Sequence, residues 1–207
     1  GFQALYALFN ATPSFLCERV FLPAPGVEES FPPGSTPLTS LESGRPLGDF
    51  DLVAFSVSFE NDYPNILAML GMGRIPLAAA DRGERDPLVI GGGISVILNP
   101  EPLAPFFDLF LLGEAEDMVP EFLERYRSLQ AAGAARGALL ADIQRSVEGA
   151  YVPRCYGVGY GAGQRIDSFR PVDPAFPARI RVRQAGQIDA FRTCQVITTP
   201  ETEFADL

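Results

Sequence analysis

The sequence predicts an α/β fold, a flavodoxin-like or Rossmann-like parallel sheet flanked by helices, followed by a small C-terminal β extension. Short apolar runs rich in β-branched and aromatic residues, typical of buried parallel strands, occur at residues 51–59, 88–90 and 106–112. Apolar residues at helical spacing fill the segments between these runs, and strands that alternate with helices form parallel sheets. No helical spacing follows the last of these helices. We therefore expect an α/β domain at residues 1–148 and a β-rich extension or linker at residues 149–207.

The first fifty residues predict a helix, a strand and a loop. The chain opens inside an amphipathic helical pattern, in which the apolar residues are Phe2, Leu5, Tyr6 and Phe9. A helix without a preceding strand is unusual for an α/β domain, so we expect that a first strand is missing from this chain. Residues 17–22 are interpreted as a strand, and residues 23–48, which are rich in Pro, Gly and Ser, as a long surface loop.

The middle of the chain contains the clearest strand and helix signals. After the strand at 51–59, Asp62 is a candidate N-cap and Pro64 lies near the first helical position. Three glycines, Gly91–Gly93, follow the strand at 88–90, and the Asn-Pro-Glu-Pro segment at 99–102 keeps the chain from continuing directly into a long helix. Two further helices are predicted from apolar residues at helical spacing, namely Val119, Phe122, Leu123 and Tyr126, and then Leu139, Leu140, Ile143 and Val147.

The last sixty residues are rich in glycine and proline. Alternating residues at 180–183 and β-branched residues at 196–199 predict two short strands. The glycines of Gly157–Gly161 look like a dinucleotide-binding fingerprint, but that motif requires a helix directly after the glycines. Because no helix is predicted there, we do not expect a dinucleotide site.

The composition excludes several classes of function. The net charge is −10, which opposes binding to nucleic acid or to an anionic membrane surface by bulk charge. There is no histidine, and all sixteen basic residues are arginine, so histidine-based nucleophile pairs and Schiff-base lysines are excluded. The three cysteines are far apart, without a Cys-x-x-Cys pair. We expect reduced thiols, a cytoplasmic location and no membrane span.

Small and polar residues follow three successive predicted strands. Ser56, Ser58 and Glu60 lie at the end of the first strand, Gly91–Gly93 at the end of the second, and Gly113–Glu116 at the end of the third. In a parallel sheet these ends meet at one edge, which is where ligands of open α/β sheets bind. The alternative is that these residues only form turns, pack against helices or complement a helix dipole.

The same segments carry a resemblance to a known family. The strings FSVSFENDYPNIL and VIGGGISVILNPEPLAPFFDLFLLGEAED resemble the cobalamin-binding-type domain at the front of B12-binding radical SAM proteins. The resemblance covers residues 1–126 and is weaker over residues 151–207, which resemble a linker toward the radical SAM barrel. It implies a set of cofactor-binding residues, namely Ser56, Ser58, Glu60, Gly91, Gly92, Gly93, Asn99, Gly113 and Glu114.

Two departures from the family pattern limit what the resemblance implies. The Cys-x-x-x-Cys-x-x-Cys motif is absent, so we expect the [4Fe-4S] cluster and S-adenosylmethionine to belong to a C-terminal part that is missing here. This chain is itself not expected to be catalytic, and its partner would be the radical SAM catalytic domain of the same polypeptide. Without a histidine, cobalamin would be bound with no histidine ligand to cobalt from this chain.

Two other functions remain open from the sequence. The first is the same fold without cobalamin, serving as a structural or substrate-presenting module. The second is a stand-alone Rossmann-like enzyme that acts on a small molecule, with Glu60 or Glu114 as acid or base.

Overall fold

The structure is a computed structural model that describes residues 2–24 and 36–186. Within these residues four strands form one sheet in the order β1-β2-β3-β4, with the bounds Leu52–Ser56, Leu88–Gly92, Leu109–Leu111 and Ala150–Tyr151. The first three strands run parallel, and β4 is antiparallel to β3. This mostly parallel sheet, together with the helices beside it, confirms the predicted α/β fold.

Five α-helices accompany the sheet in the described part of the chain. Their bounds are α1 Phe2–Ala11, α2 Tyr63–Met72, α3 Ile94–Leu98, α4 Ala115–Ala131 and α5 Arg136–Ser146. Single 3₁₀ turns lie at Leu47–Asp49, Glu60–Asp62, Ala79–Asp81, Pro153–Cys155 and Ala162–Gln164. A separate antiparallel pair, β5 (Tyr156–Tyr160) and β6 (Ile166–Pro171), forms the small β extension that the sequence predicts.

The core lies around strands β2 and β3. All of Leu88–Gly91 and all of β3 are buried, as expected for parallel strands covered on both faces. Helix α4 buries one face only, formed by Met118, Val119, Phe122, Leu123 and Tyr126. These residues recur at three- and four-residue intervals, so the helical spacing in the sequence identifies the packed face correctly.

A buried ionic cluster joins the amino ends of β2 and β3. The Asp108 carboxylate accepts hydrogen bonds from the Val89 N–H at 2.8 Å and from the Arg82 guanidinium at 2.9 Å. Arg136, the first residue of α5, lies 2.9 Å from the same carboxylate oxygen. Arg136 also donates to the carbonyl oxygens of Asp86 and Pro87. The cluster therefore ties α5 and the loop before β2 to the sheet.

A series of aromatic rings connects the sheet to the β5–β6 hairpin. Phe55 of β1 contacts Phe107 with ring centroids 5.8 Å apart, and Phe107 stacks on Phe110 at 4.9 Å. Phe110 lies 6.0 Å from Tyr151 of β4, which in turn lies 6.0 Å from Phe169 of β6. Such ring pairs stabilise packing beyond the area that they bury. The hairpin is thus packed against the main sheet through β4.

Some predicted strands are shorter than expected or absent. Residues 17–22 contain no regular strand; the Cys17 N–H donates a hydrogen bond to the Asn10 side chain, and the Arg19 guanidinium donates one to the Glu42 carboxylate. β1 ends at Ser56, and β3 begins only at Leu109 because the chain turns through 101–106. Residues 180–183 form no strand; Arg183 makes one isolated parallel bridge to Gly113. The predicted strand at 196–199 lies outside the described residues.

The positions of four short elements are not predicted by the sequence pattern. Helix α3 follows the glycine run directly, and it is too short to show a helical period. Strand β4 has only two residues. Strands β5 and β6 pair through glycines, and a side chain at Gly159 would collide with Ser168 on the facing strand. The glycines of Gly157–Gly161 therefore form part of a hairpin. Asp62 precedes α2, as predicted, but its side chain makes no capping hydrogen bond.

Candidate functional site

The carboxyl ends of β1 and β2 lie side by side. Ser56 is in register with Gly92, so the two residues share one face of the sheet. Ser56, Ser58 and Glu60 are all exposed. In the described part of the chain, neither serine hydroxyl has a hydrogen-bond partner. The hydroxyls are therefore free to bind a ligand at this edge.

Large apolar side chains are exposed at the same edge. Phe59 follows the end of β1 and is 68% exposed, while Ile94 and Leu98 of α3 are 55% and 73% exposed. The Ser95 N–H donates to the Val57 carbonyl oxygen at 3.2 Å, which holds the start of α3 against the end of β1. We call the surface formed by Ser56, Ser58, Phe59, Gly92, Ile94 and Leu98 the β1–β2 surface.

The three apolar residues of this surface, Phe59, Ile94 and Leu98, are not among the site residues predicted from the sequence. A usable signal was present, because Phe59 and Ile94 come directly after two predicted strand ends. Leu98 lies next to Asn99, which is exposed and accepts a hydrogen bond from the Glu101 N–H at 3.3 Å. Asn99 is therefore near the β1–β2 surface in sequence, but its side chain also forms the turn of the Asn-Pro-Glu-Pro segment.

Two of the three glycines at the end of β2 are packed against the chain itself. Gly93 has a φ of +104°, and a Cβ there would lie 2.5 Å from the Val57 carbonyl oxygen. A Cβ at Gly91 would lie 2.9 Å from the rings of both Phe107 and Phe110. These glycines permit close packing between segments of this chain. Gly92 differs, since a Cβ there meets only the Leu111 carbonyl oxygen, at 3.5 Å.

The carboxyl end of β3 is covered by residues 183–186. Arg183 donates its N–H to the Leu112 carbonyl at 2.9 Å and accepts from the Glu114 N–H at 3.0 Å. The Glu114 carboxylate accepts the Ala185 N–H at 2.5 Å. Gly113 has a φ of +142°, and a Cβ there would collide with the Arg183 backbone. Gly113 and Glu114 thus hold the chain's own C-terminal segment.

Metal-ligating groups and reactive thiols were the remaining candidates for chemistry among the described residues. Among them no group of three Cys, Asp or Glu side chains lies close enough to hold a metal ion. Burial raises the pKa of the Cys17 and Cys155 thiols to about 11, which keeps both protonated near neutral pH. The predicted site residues therefore fall into two groups, one at the exposed ends of β1 and β2 and one at the packed end of β3.

A family model described as "Radical SAM proteins, N-terminal" matches residues 1–153. The chain belongs to this family. The match covers the whole four-stranded sheet and stops before the hairpin of this radical SAM N-terminal region. No curated protein and no solved structure was found to match the chain. In the described part of the radical SAM N-terminal region, no helix is long and apolar enough to cross a membrane.

Proposed function

We propose that this radical SAM N-terminal region binds cobalamin at the β1–β2 surface. The observation that carries the proposal is the pairing of free serine hydroxyls with exposed apolar side chains at the carboxyl edge of two parallel strands. Ligands of open α/β sheets bind at this edge. Cobalamin presents a broad corrin ring with amide side chains, so it needs both apolar contact and hydrogen-bonding groups.

The residues present fit such a ligand at one half of the sheet edge. Ser56 and Ser58 supply hydroxyls, Gly92 leaves room above the strand, and Phe59, Ile94 and Leu98 supply apolar area. Glu60 and Asn99 are exposed nearby and stay in the proposed site. The proposed site no longer includes four residues that contact other parts of this chain, namely Gly91, Gly93, Gly113 and Glu114.

Different parts of the parent protein would hold different cofactors. This region would hold cobalamin without a histidine ligand from its own sequence, which contains none. The iron–sulfur cluster and S-adenosylmethionine would belong to a catalytic domain elsewhere in the same polypeptide. The bound corrin would supply cobalt chemistry, while the residues of the β1–β2 surface would bind and orient it.

Titration of the full-length protein with hydroxocobalamin tests this proposal. We expect a change in the visible spectrum and a dissociation constant on the order of micromolar. Leu98→Glu places a charge on the apolar part of the surface and should weaken binding at least about tenfold. Leu41→Glu is the matched control, because Leu41 is 60% exposed and lies outside this surface. An unchanged visible spectrum for the full-length protein would contradict the proposal.

A second candidate function is a structural module without cobalamin. The close packing of Gly93 against Val57 and of Gly113 against Arg183 favours it, since both contacts fill space at the edge where a ligand tail would enter. The exposed apolar residues would then contact the catalytic domain of the same polypeptide. In that case Leu98→Glu would loosen the association of the two domains, measured by limited proteolysis, and hydroxocobalamin would have no effect.

A further inference from the structure

A cavity that is open to solvent lies near the end of β3 and shares no residue with the β1–β2 surface. It has a volume of about 350 Å³ and opens between the Asn-Pro-Glu-Pro turn, the end of β3 and strand β6. Its lining includes Glu101, Leu112, Tyr151, Phe169, Arg179 and Ile180. Small-ligand sites combine an apolar lining with a few fixed polar groups, and this cavity lies at the lower end of their size range.

Glu101 is held in this cavity by a buried tyrosine. The Tyr151 hydroxyl donates to one Glu101 carboxylate oxygen at 2.5 Å, and Tyr151 is only 2% exposed. Burial raises the pKa of Tyr151, so its hydroxyl stays protonated and keeps donating. In the described part of the chain, the other carboxylate oxygen of Glu101 has no hydrogen-bond partner. One oxygen is thus fixed, while the other is free to accept from a ligand.

Arg179 supplies a positive charge on the wall of the same cavity. Its guanidinium makes no ion pair, hydrogen bond or contact with an aromatic ring among the described residues, and it is exposed. Glu101 and Arg179 therefore do not neutralise each other, although both line one cavity. Two opposite charges in this arrangement complement a ligand that itself carries both charges.

We propose that this cavity binds a free α-amino acid with an apolar side chain. The ammonium group donates to Glu101, the carboxylate accepts from Arg179, and the side chain packs on Phe169 and Ile180. The cavity does not share a residue with the β1–β2 surface, so this proposal stands or fails independently of cobalamin binding. It also gives a role to the Glu of the Asn-Pro-Glu-Pro segment, which the proposed cobalamin site leaves unused.

Calorimetric titration of the full-length protein with L-leucine tests the proposal. We expect saturable binding, and binding at least about tenfold weaker for leucinamide, which lacks the carboxylate, and for 4-methylpentanoate, which lacks the ammonium. Equal binding of all three compounds would show that the cavity takes only an apolar group and would overturn the proposal. An absence of leucine binding would overturn it as well.

Two variants connect the binding to the cavity. Glu101→Gln keeps an oxygen that accepts from Tyr151 but removes the negative charge, and Arg179→Gln removes the positive charge. Each should weaken leucine binding at least about tenfold. Arg181→Gln is the matched control, because Arg181 is exposed and does not line the cavity. If Glu101→Gln fails to fold, Arg179→Gln decides alone; unchanged leucine affinity in that variant would overturn the proposal.

Discussion

Gly92 and Gly93 are neighbours in the sequence, but a side chain would meet different surroundings at the two positions. Gly93 has a φ of +104° and faces the Val57 backbone, whereas Gly92 lacks a positive φ and faces open space apart from the Leu111 carbonyl oxygen. In the sequence, the three glycines at 91–93 cannot be told apart. Backbone conformation and tertiary contact separate them, and neither is visible in a run of identical residues.

The first prediction compares alanine at these two positions. Gly93→Ala forces a β-carbon to within 2.5 Å of the Val57 carbonyl oxygen and strains φ, so we expect a loss of at least about 1–3 kcal/mol in the free energy of unfolding. Gly92→Ala should change it by less than about 1 kcal/mol. Urea denaturation measures both. Equal stability of the two variants would contradict the packing described for Gly93.

The second prediction concerns the buried Asp108 carboxylate. Asp108→Asn removes the buried carboxylate that pairs with both the Arg82 and Arg136 guanidinium groups, and we expect a loss of about 3 kcal/mol or more in the free energy of unfolding. Glu124→Gln is the control, since it breaks the exposed pair with Arg127, which contributes less than about 1 kcal/mol. A loss no larger for Asp108→Asn than for this control in thermal and urea unfolding would show that the cluster does not stabilise the fold.

At the scale of elements, the long periodic segments could be predicted and the short ones could not. Helix α4 and strand β2 match their sequence patterns because burial of one helix face, or of both sheet faces, dictates those patterns. Helix α3 and strand β4 have five and two residues, too few to show a period. Residues 17–22 have strand-like composition but lack a strand to pair with in the described residues.

The third prediction concerns the β5–β6 hairpin, where Tyr156 stacks on Phe169 with centroids 4.6 Å apart. Burial, with a smaller contribution from Cys155, raises the pKa of Tyr156 to about 12, and burial also raises the pKa of Tyr151. The native state therefore keeps these protons after the unfolded chain releases them near pH 10. The contribution of these tyrosines to the free energy of unfolding should be fully present below pH 10 and should be lost as the pH rises toward 12.

Urea unfolding across this pH range measures the effect, and tyrosinate absorbance in the ultraviolet follows the ionisation. Tyr156→Phe should make the decline in stability with pH less steep. An equally steep decline in the variant would mean that folding does not raise the pKa of Tyr156. That result would contradict its burial in the hairpin.

At the scale of the whole molecule, the carboxyl edge of the sheet divides into two halves. The ends of β1 and β2 carry free hydroxyls and exposed apolar side chains, while the end of β3 is covered by residues 183–186. The sequence predicted that the three strand ends meet at one edge, because parallel topology requires it. It did not predict that residues 183–186 cover the end of β3. The bridge between Arg183 and Gly113 joins residues seventy positions apart through backbone atoms, which leave no pattern in the sequence.

The central claim is that the β1–β2 surface of this radical SAM N-terminal region holds cobalamin, and the affinity of Gly92→Val tests it most directly. A valine there occupies ligand volume beside Ser56, and the fold should survive because φ is not positive and the nearest backbone atom leaves room. Gly157→Val on β5 is the matched control, since a Cβ there meets only the Arg170 carbonyl oxygen, at 3.9 Å. We predict that hydroxocobalamin binds folded Gly92→Val full-length protein at least about tenfold more weakly than the wild type, with Gly157→Val unchanged. A folded Gly92→Val protein with wild-type affinity would contradict the claim.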